Sequence, residues 1–131
     1  MKLNILVNEE EDPIFVGFVK ENVYVPTLYL VAQYPDMVQA IWLKEGVEQF
    51  VLKGANVMCP GVERYPEVEK GTVIAVKNSK GVGVATGYME NTGAEGIACT
   101  IVHYLGDKLW DYGSKMLSHV KYADVQEAPK V

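Results

Sequence analysis

The sequence predicts a mainly β protein with short helices: a small closed barrel preceded by a small α+β element. Three observations lead there. Short β-prone runs alternate with turn residues over about 75 residues. Glycines interrupt one of those runs (Gly81, Gly83, Gly87) and imply strong curvature or a bulge. Many short curved strands in a short chain are most simply satisfied by closure, which removes exposed sheet edges.

The elements follow in chain order. Leu3 to Val7 and Ile14 to Val19 are apolar runs around the acidic turn Asn8 to Pro13, so they predict a hairpin. Pro26 suits a first helical position because its missing N–H needs no partner there. Pro35 disfavours helical geometry at Tyr34, so the helix is expected over 26–34. Val38 to Leu43 returns to strand-like content. Lys44 to Lys53 predicts a second helix, because Val47, Phe50 and Val51 fall at i, i+3 and i+4 on one face. Gly54 closes it, as glycine does just past a helix end. Strands are then expected at Asn56 to Cys59, Thr72 to Val76, Val82 to Met89 and Ile97 to Leu105. Ala123 to Val131 is polar and reads as a tail. The division is therefore residues 1–43 as a partial α+β element, 44–122 as the barrel, and 123–131 as the tail.

Composition excludes several function classes. The 131 residues are 49% hydrophobic and 22% charged, a globular profile with material for a core. No apolar run approaches the ~20 residues of a membrane span. The N-terminus is neither a signal peptide nor a basic transit peptide, so a cytoplasmic protein is expected. Cys59 and Cys99 lie forty positions apart, and His103 and His119 complete no zinc set by spacing. The expectation is reduced, buried thiols, with no metal and no cofactor. No Asp/His/Ser or Cys/His set stands out, and Gly81-Val82-Gly83 lacks the GK[ST] of a phosphate loop. An enzyme is not expected.

Net charge is −5, which is unusual for a nucleic-acid binder. Residues 41–80 are the exception, with Lys44, Lys53, Arg64, Lys70, Lys77 and Lys80 against five glutamates. That segment permits a local basic face.

The stretch Gly46 to Val62 (GVEQFVLKGANVMCPGV) resembles the entry to a PUA domain: a helix, a Gly-Ala pair, a short strand and Pro-Gly-Val. KGTVIAV (70–76), VGVATGYM (82–89) and VHYLGDKLW (102–110) resemble later landmarks of that family, in order. Within it, the chain is most similar to the malignant T-cell-amplified protein and ligatin group of translation factors. Pro26-Thr27-Leu28, Tyr34-Pro35, Gly54 to Gly61 and His103 to Trp110 carry that likeness, over roughly residues 24–113. Two departures stand out. The N-terminal companion domain of that group is longer, so a ribosome-docking surface there is in question. The connection ENTGAEG (90–96) is shorter than the usual helix-bearing one.

The resemblance implies a PUA-like barrel that binds RNA. It implies association with the small ribosomal subunit, through rRNA or the tRNA acceptor end, in initiation, reinitiation or ribosome recycling. Some members act with a density-regulated-protein partner. It places Lys53, Gly54, Ala55, Asn56 and Met58 beside the RNA groove, with Pro60, Gly61 and Tyr104 as further candidates. Each has a plainer reading. Lys53 is a phosphate contact or a solvated lysine. Gly54 and Ala55 admit a close RNA backbone or form a helix cap. Tyr104 stacks an unpaired base or packs in the barrel. Trp110 is read as a core plug rather than a stacking platform, and His103 as a structural histidine. A protein-interaction module with the same fold and little RNA affinity is the alternative.

Overall fold

The computed structural model describes residues 3–7, 9, 13–18, 23–107 and 110–111, with the backbone alone for 3–7, 13–18 and 23. Strands β1 (Leu3–Val7), β2 (Pro13–Phe18) and β3 (Val23–Pro26) form an antiparallel sheet in the order β1-β2-β3. The hairpin expected from the two apolar runs is present. The third strand occupies residues that the sequence reading left unassigned, and it claims Pro26. Proline stands there as the last residue of an edge strand, a position that needs no amide donor. The helix that follows, α1 (Leu28–Gln33), starts later than expected. The buried Thr27 caps it, its hydroxyl accepting from the Leu30 amide at 3.3 Å.

Six strands make the barrel: β4 (Ala40–Leu43), β5 (Val57–Met58), β6 (Val62–Arg64), β7 (Val73–Lys77), β8 (Gly83–Met89) and β9 (Ile97–Tyr104). Their order is β5-β9-β8-β7-β4-β6. Strand β4, read from sequence with the preceding element, runs parallel to β7 and antiparallel to β6. The sheet's two edge strands, β5 and β6, are consecutive in the chain. Only a 3-10 turn, Cys59–Gly61, separates them. That turn spans the gap and leaves the barrel nearly closed. It is pinned from both sides, Lys44 donating to the Gly61 carbonyl and Cys59 donating to the Gly96 carbonyl, each at 2.9 Å.

Ile41, Leu43, Val57, Ile74, Val76, Val84 and Met89 fill the interior. Alternation along β4 sends Ile41 and Leu43 inward and Trp42 outward. The glycine signal in β8 is accounted for at Gly87. A Cβ there would stand 1.9 Å from the Thr100 carbonyl oxygen, and the β8–β9 register shifts between Thr86 and Gly87. The bare backbone lets the two strands cross closely enough to curve.

The second helix, α2 (Glu48–Val51), is shorter than the expected 44–53 and is flanked by turns. Val51 is buried and Val47 packs against the core, but Phe50 is 57% exposed. One short helix can seat only part of its apolar face against a barrel this small.

The first sheet and α1 pack on the barrel's outside. Val25 of β3 meets Val73 and Val102, and Leu28 and Val31 lie against Gly83. Both cysteines are free and buried, and burial, with Glu90 nearby, pushes the Cys99 thiol up to about 12. The expected tail at 123–131 and His119 lie outside the described residues.

Candidate functional site

The residues from Lys53 to Met58 form the loop that carries α2 into β5. Its geometry begins with Gly54, which has φ +95°, a conformation that costs an L side chain strain and glycine little. Ala55 donates to the Phe50 carbonyl at 3.1 Å and Gly54 to the Val51 carbonyl at 2.9 Å. These are the paired 6→1 and 5→2 bonds of a glycine-terminated helix, so the cap reading of Gly54 holds. The cap turns the chain sharply and leaves Lys53, Gly54 and Ala55 exposed.

Tyr104, fifty positions after Gly54, closes over the same turn from the end of β9. Its ring atoms would lie 3.5 Å from a Cβ at Gly54. Spacing along the chain offers no reason to join these two, yet they are in contact. The half-buried Tyr104 therefore occupies the space above Gly54 and packs part of its ring on the turn. Asn56 ties the loop to the same strand, its amide oxygen accepting from the Ile101 amide at 2.9 Å. That bond is structural: it sets the loop's height above β9.

Met58 pairs in register with Ile97 across the β5–β9 edge, and the two are 49% and 39% exposed. Pro60 is exposed in the closing turn. Gly61 is not there for external approach, since a Cβ would fall 2.9 Å from a Val47 methyl. Its smallness lets α2 settle on the barrel. The eight candidates thus divide. Lys53, Gly54, Ala55, Asn56 and Tyr104 form one surface. Met58 extends the same loop into β5, and Pro60 and Gly61 belong to the closing turn. Phe50 and Ile97 were missed as exposed apolar neighbours of these elements. Helical spacing had assigned Phe50 to the buried face, and nothing in the local pattern marks it otherwise.

Below Tyr104, a polar network fixes the end of β9. His103 is fully buried and its Nδ1 lies 2.7 Å from Asp107 Oδ2. Asp107 also accepts from the Tyr104 amide at 3.0 Å and the Trp110 amide at 2.7 Å. Burial alone would raise the Asp107 carboxyl. The hydrogen bond and charge of His103, with the two amides, outweigh that and hold it below the ordinary carboxylate value. Trp110 is half-buried, and its ring stacks on Tyr29 of α1 at 4.4 Å with the planes 2° apart. The Tyr29 hydroxyl donates to the Trp110 carbonyl. Trp110 was expected as a core plug, but it is only half-buried and packs on the N-terminal element instead of filling the barrel interior. Among the described residues, no group of three His, Cys, Asp or Glu side chains could hold a metal, and no helix is long and apolar enough to cross a membrane.

Residues 39–100 match the PUA domain family model. The chain is 30% identical over 110 residues to translation machinery-associated protein 20 of Saccharomyces cerevisiae, covering 72% of this chain and 60% of that protein. It is 35% identical over 103 residues to malignant T-cell-amplified sequence 1 of Danio rerio, covering 70% and 56%. A PUA domain protein of Thermoplasma acidophilum superposes with a TM-score of 0.66 at 27% identity, over 77% of this chain and 70% of that one. The chain thus spans about 56–60% of the length of the two curated relatives.

Proposed function

We propose, from the premise that the chain carries a PUA domain and is related to the malignant T-cell-amplified and translation machinery-associated proteins, that it is an RNA-binding module of the translation apparatus. It acts by binding and not by chemistry, in the cytoplasm. One observation carries the reading: the exposed, backbone-fixed turn Lys53-Gly54-Ala55 has the Tyr104 ring packed on it. An exposed lysine beside an aromatic ring held by a buried network offers a phosphate contact and a stacking surface together.

The finer reading follows the resemblance. The RNA is rRNA or the acceptor end of tRNA on the small ribosomal subunit. The step served is initiation, reinitiation or recycling, with a density-regulated-protein-like partner. The alternative, a protein-interaction module, is favoured by Phe50, Met58 and Ile97, three exposed apolar side chains on or next to these elements, and by the net charge of −5.

Titration of the protein and of Lys53→Glu with a tRNA acceptor-stem RNA, at two salt concentrations, separates the two. The reading expects weaker binding by the variant and a log–log salt slope lower by ~0.7–0.9. Equal affinities and slopes from two folded proteins would favour the protein-interaction alternative.

A further inference from the structure

The basic stretch of the sequence converges on a second place, on the outer face of the barrel. Trp42 points outward from β4, which lies between β6 and β7. Its register partners on the two sides are Arg64 and Lys77. Both turn onto its ring: the Arg64 guanidinium carbon is 4.4 Å from a ring centroid, and the Lys77 ammonium is 5.5 Å from one. These are cation–π distances. A turn packs against the same indole, because a Cβ at Gly81 would lie 3.3 Å from it. The buried Asn78 holds that turn, its side-chain oxygen accepting from the Lys80 and Val82 amides at 3.0 Å each.

Among the described residues, no carboxylate forms an ion pair with Arg64 or Lys77. Two open grooves, of about 620 and 470 Å³, meet at Trp42 and Arg64. Carboxylates do line them: Glu45 and Glu63 in one, Asp36 and Glu67 in the other. An anion on this face would meet Arg64 and Lys77 at the Trp42 ring, which lines both grooves.

We propose that Arg64, Trp42 and Lys77 form a second RNA contact, a clamp for two phosphates of an unpaired strand. The inference rests on the RNA-binding reading and adds a site separate from the Lys53–Tyr104 surface. Trp42 is the positioning residue. It packs against the guanidinium, 4.4 Å from ring centroid to guanidinium carbon, and so leaves less rotamer freedom to lose on binding. Lys77 adds a point charge from the strand on the other side of β4, its ammonium 5.5 Å from a centroid of the same indole. A guanidinium over an indole also offers a surface on which an unpaired base can lie.

The test is a titration with an unpaired RNA oligonucleotide at several salt concentrations. It compares the wild-type chain with Arg64→Glu, Arg64→Lys, Trp42→Leu and Lys53→Glu, each first shown to melt cooperatively. Arg64→Glu should weaken binding about tenfold or more and lower the salt slope by ~0.7. Arg64→Lys should keep the slope yet bind less tightly, because the charge remains and the planar fork does not. Trp42→Leu should do the same without touching a charge. Wild-type binding that falls with Lys53→Glu but is unchanged in the Arg64 and Trp42 variants would overturn this clamp alone. No wild-type binding at low salt would overturn both it and the reading on which it rests.

Discussion

Gly54 shows how one residue can answer to two explanations at once. Its φ of +95° and the paired bonds of the helix cap account for glycine without any ligand. The contact with Tyr104 places an aromatic ring on the turn that carries the exposed Lys53. Gly54→Ala should lower stability by ~1 kcal/mol or more, because φ > 0 is strained for alanine, measured by denaturant midpoint. An unchanged midpoint would mean that the turn relaxes to negative φ. The cap was legible in the sequence, because a glycine after an apolar 3.6-period run has a known use. The Tyr104 contact was not legible by spacing. It joins positions fifty apart, and only the closure of the barrel brings them together. Trp42 was hidden for a related reason. Ile-Trp-Leu reads as a uniform apolar strand, and the outward middle position becomes informative only once its strand partners are known to be Arg64 and Lys77.

Most strands lie within one or two residues of where the sequence predicts them, while both helices are shorter than predicted. Strands of this barrel are punctuated by glycine, proline and polar turns that act locally. Helix α2 is curtailed by tertiary packing, which local pattern does not report. The end of β9 is where elements are joined. Asp107 accepts from His103, Tyr104 and Trp110, and Trp110 stacks on Tyr29. Trp110→Ala should therefore loosen the N-terminal element from the barrel. A fully buried tryptophan truncation costs ~3–5 kcal/mol; for a half-buried ring about half of that is expected, read as a fall in melting temperature. A variant that melts like the parent but loses RNA affinity would instead make Trp110 a ligand contact. Asp107 gives this junction an acid sensitivity. Its carboxyl is held below its unfolded value, so its contribution is present above the unfolded pKa and is lost as pH falls through the folded one. Melting temperature should drop over that acid range, and Asp107→Asn should flatten that part of the profile. An identical acid profile in the variant would remove Asp107 from the account. Curvature in β8 has its own check. Gly87→Ala should cost ~1–3 kcal/mol or more, because its methyl would meet the β9 backbone.

For the whole molecule, the barrel and its PUA character were readable because several landmarks recur in order, and the six-stranded sheet carries them where that family's entry and closing strands were expected. Function is less local. The net charge of −5 argued against nucleic acid, but charge acts through its placement. The structure separates Lys53 at the Tyr104 edge from Arg64 and Lys77 around Trp42, two positions that one basic segment of sequence merges. RNA is proposed to land on the Lys53–Tyr104 surface. The most direct measurement is the change in backbone amide chemical shifts as an acceptor-stem RNA is added to the labelled protein. The largest changes are expected at Lys53 to Asn56 and at Tyr104, saturating with the binding curve and shrinking as salt rises. Shifts at saturation that leave those amides unmoved, or that appear only in the first three strands, would contradict it.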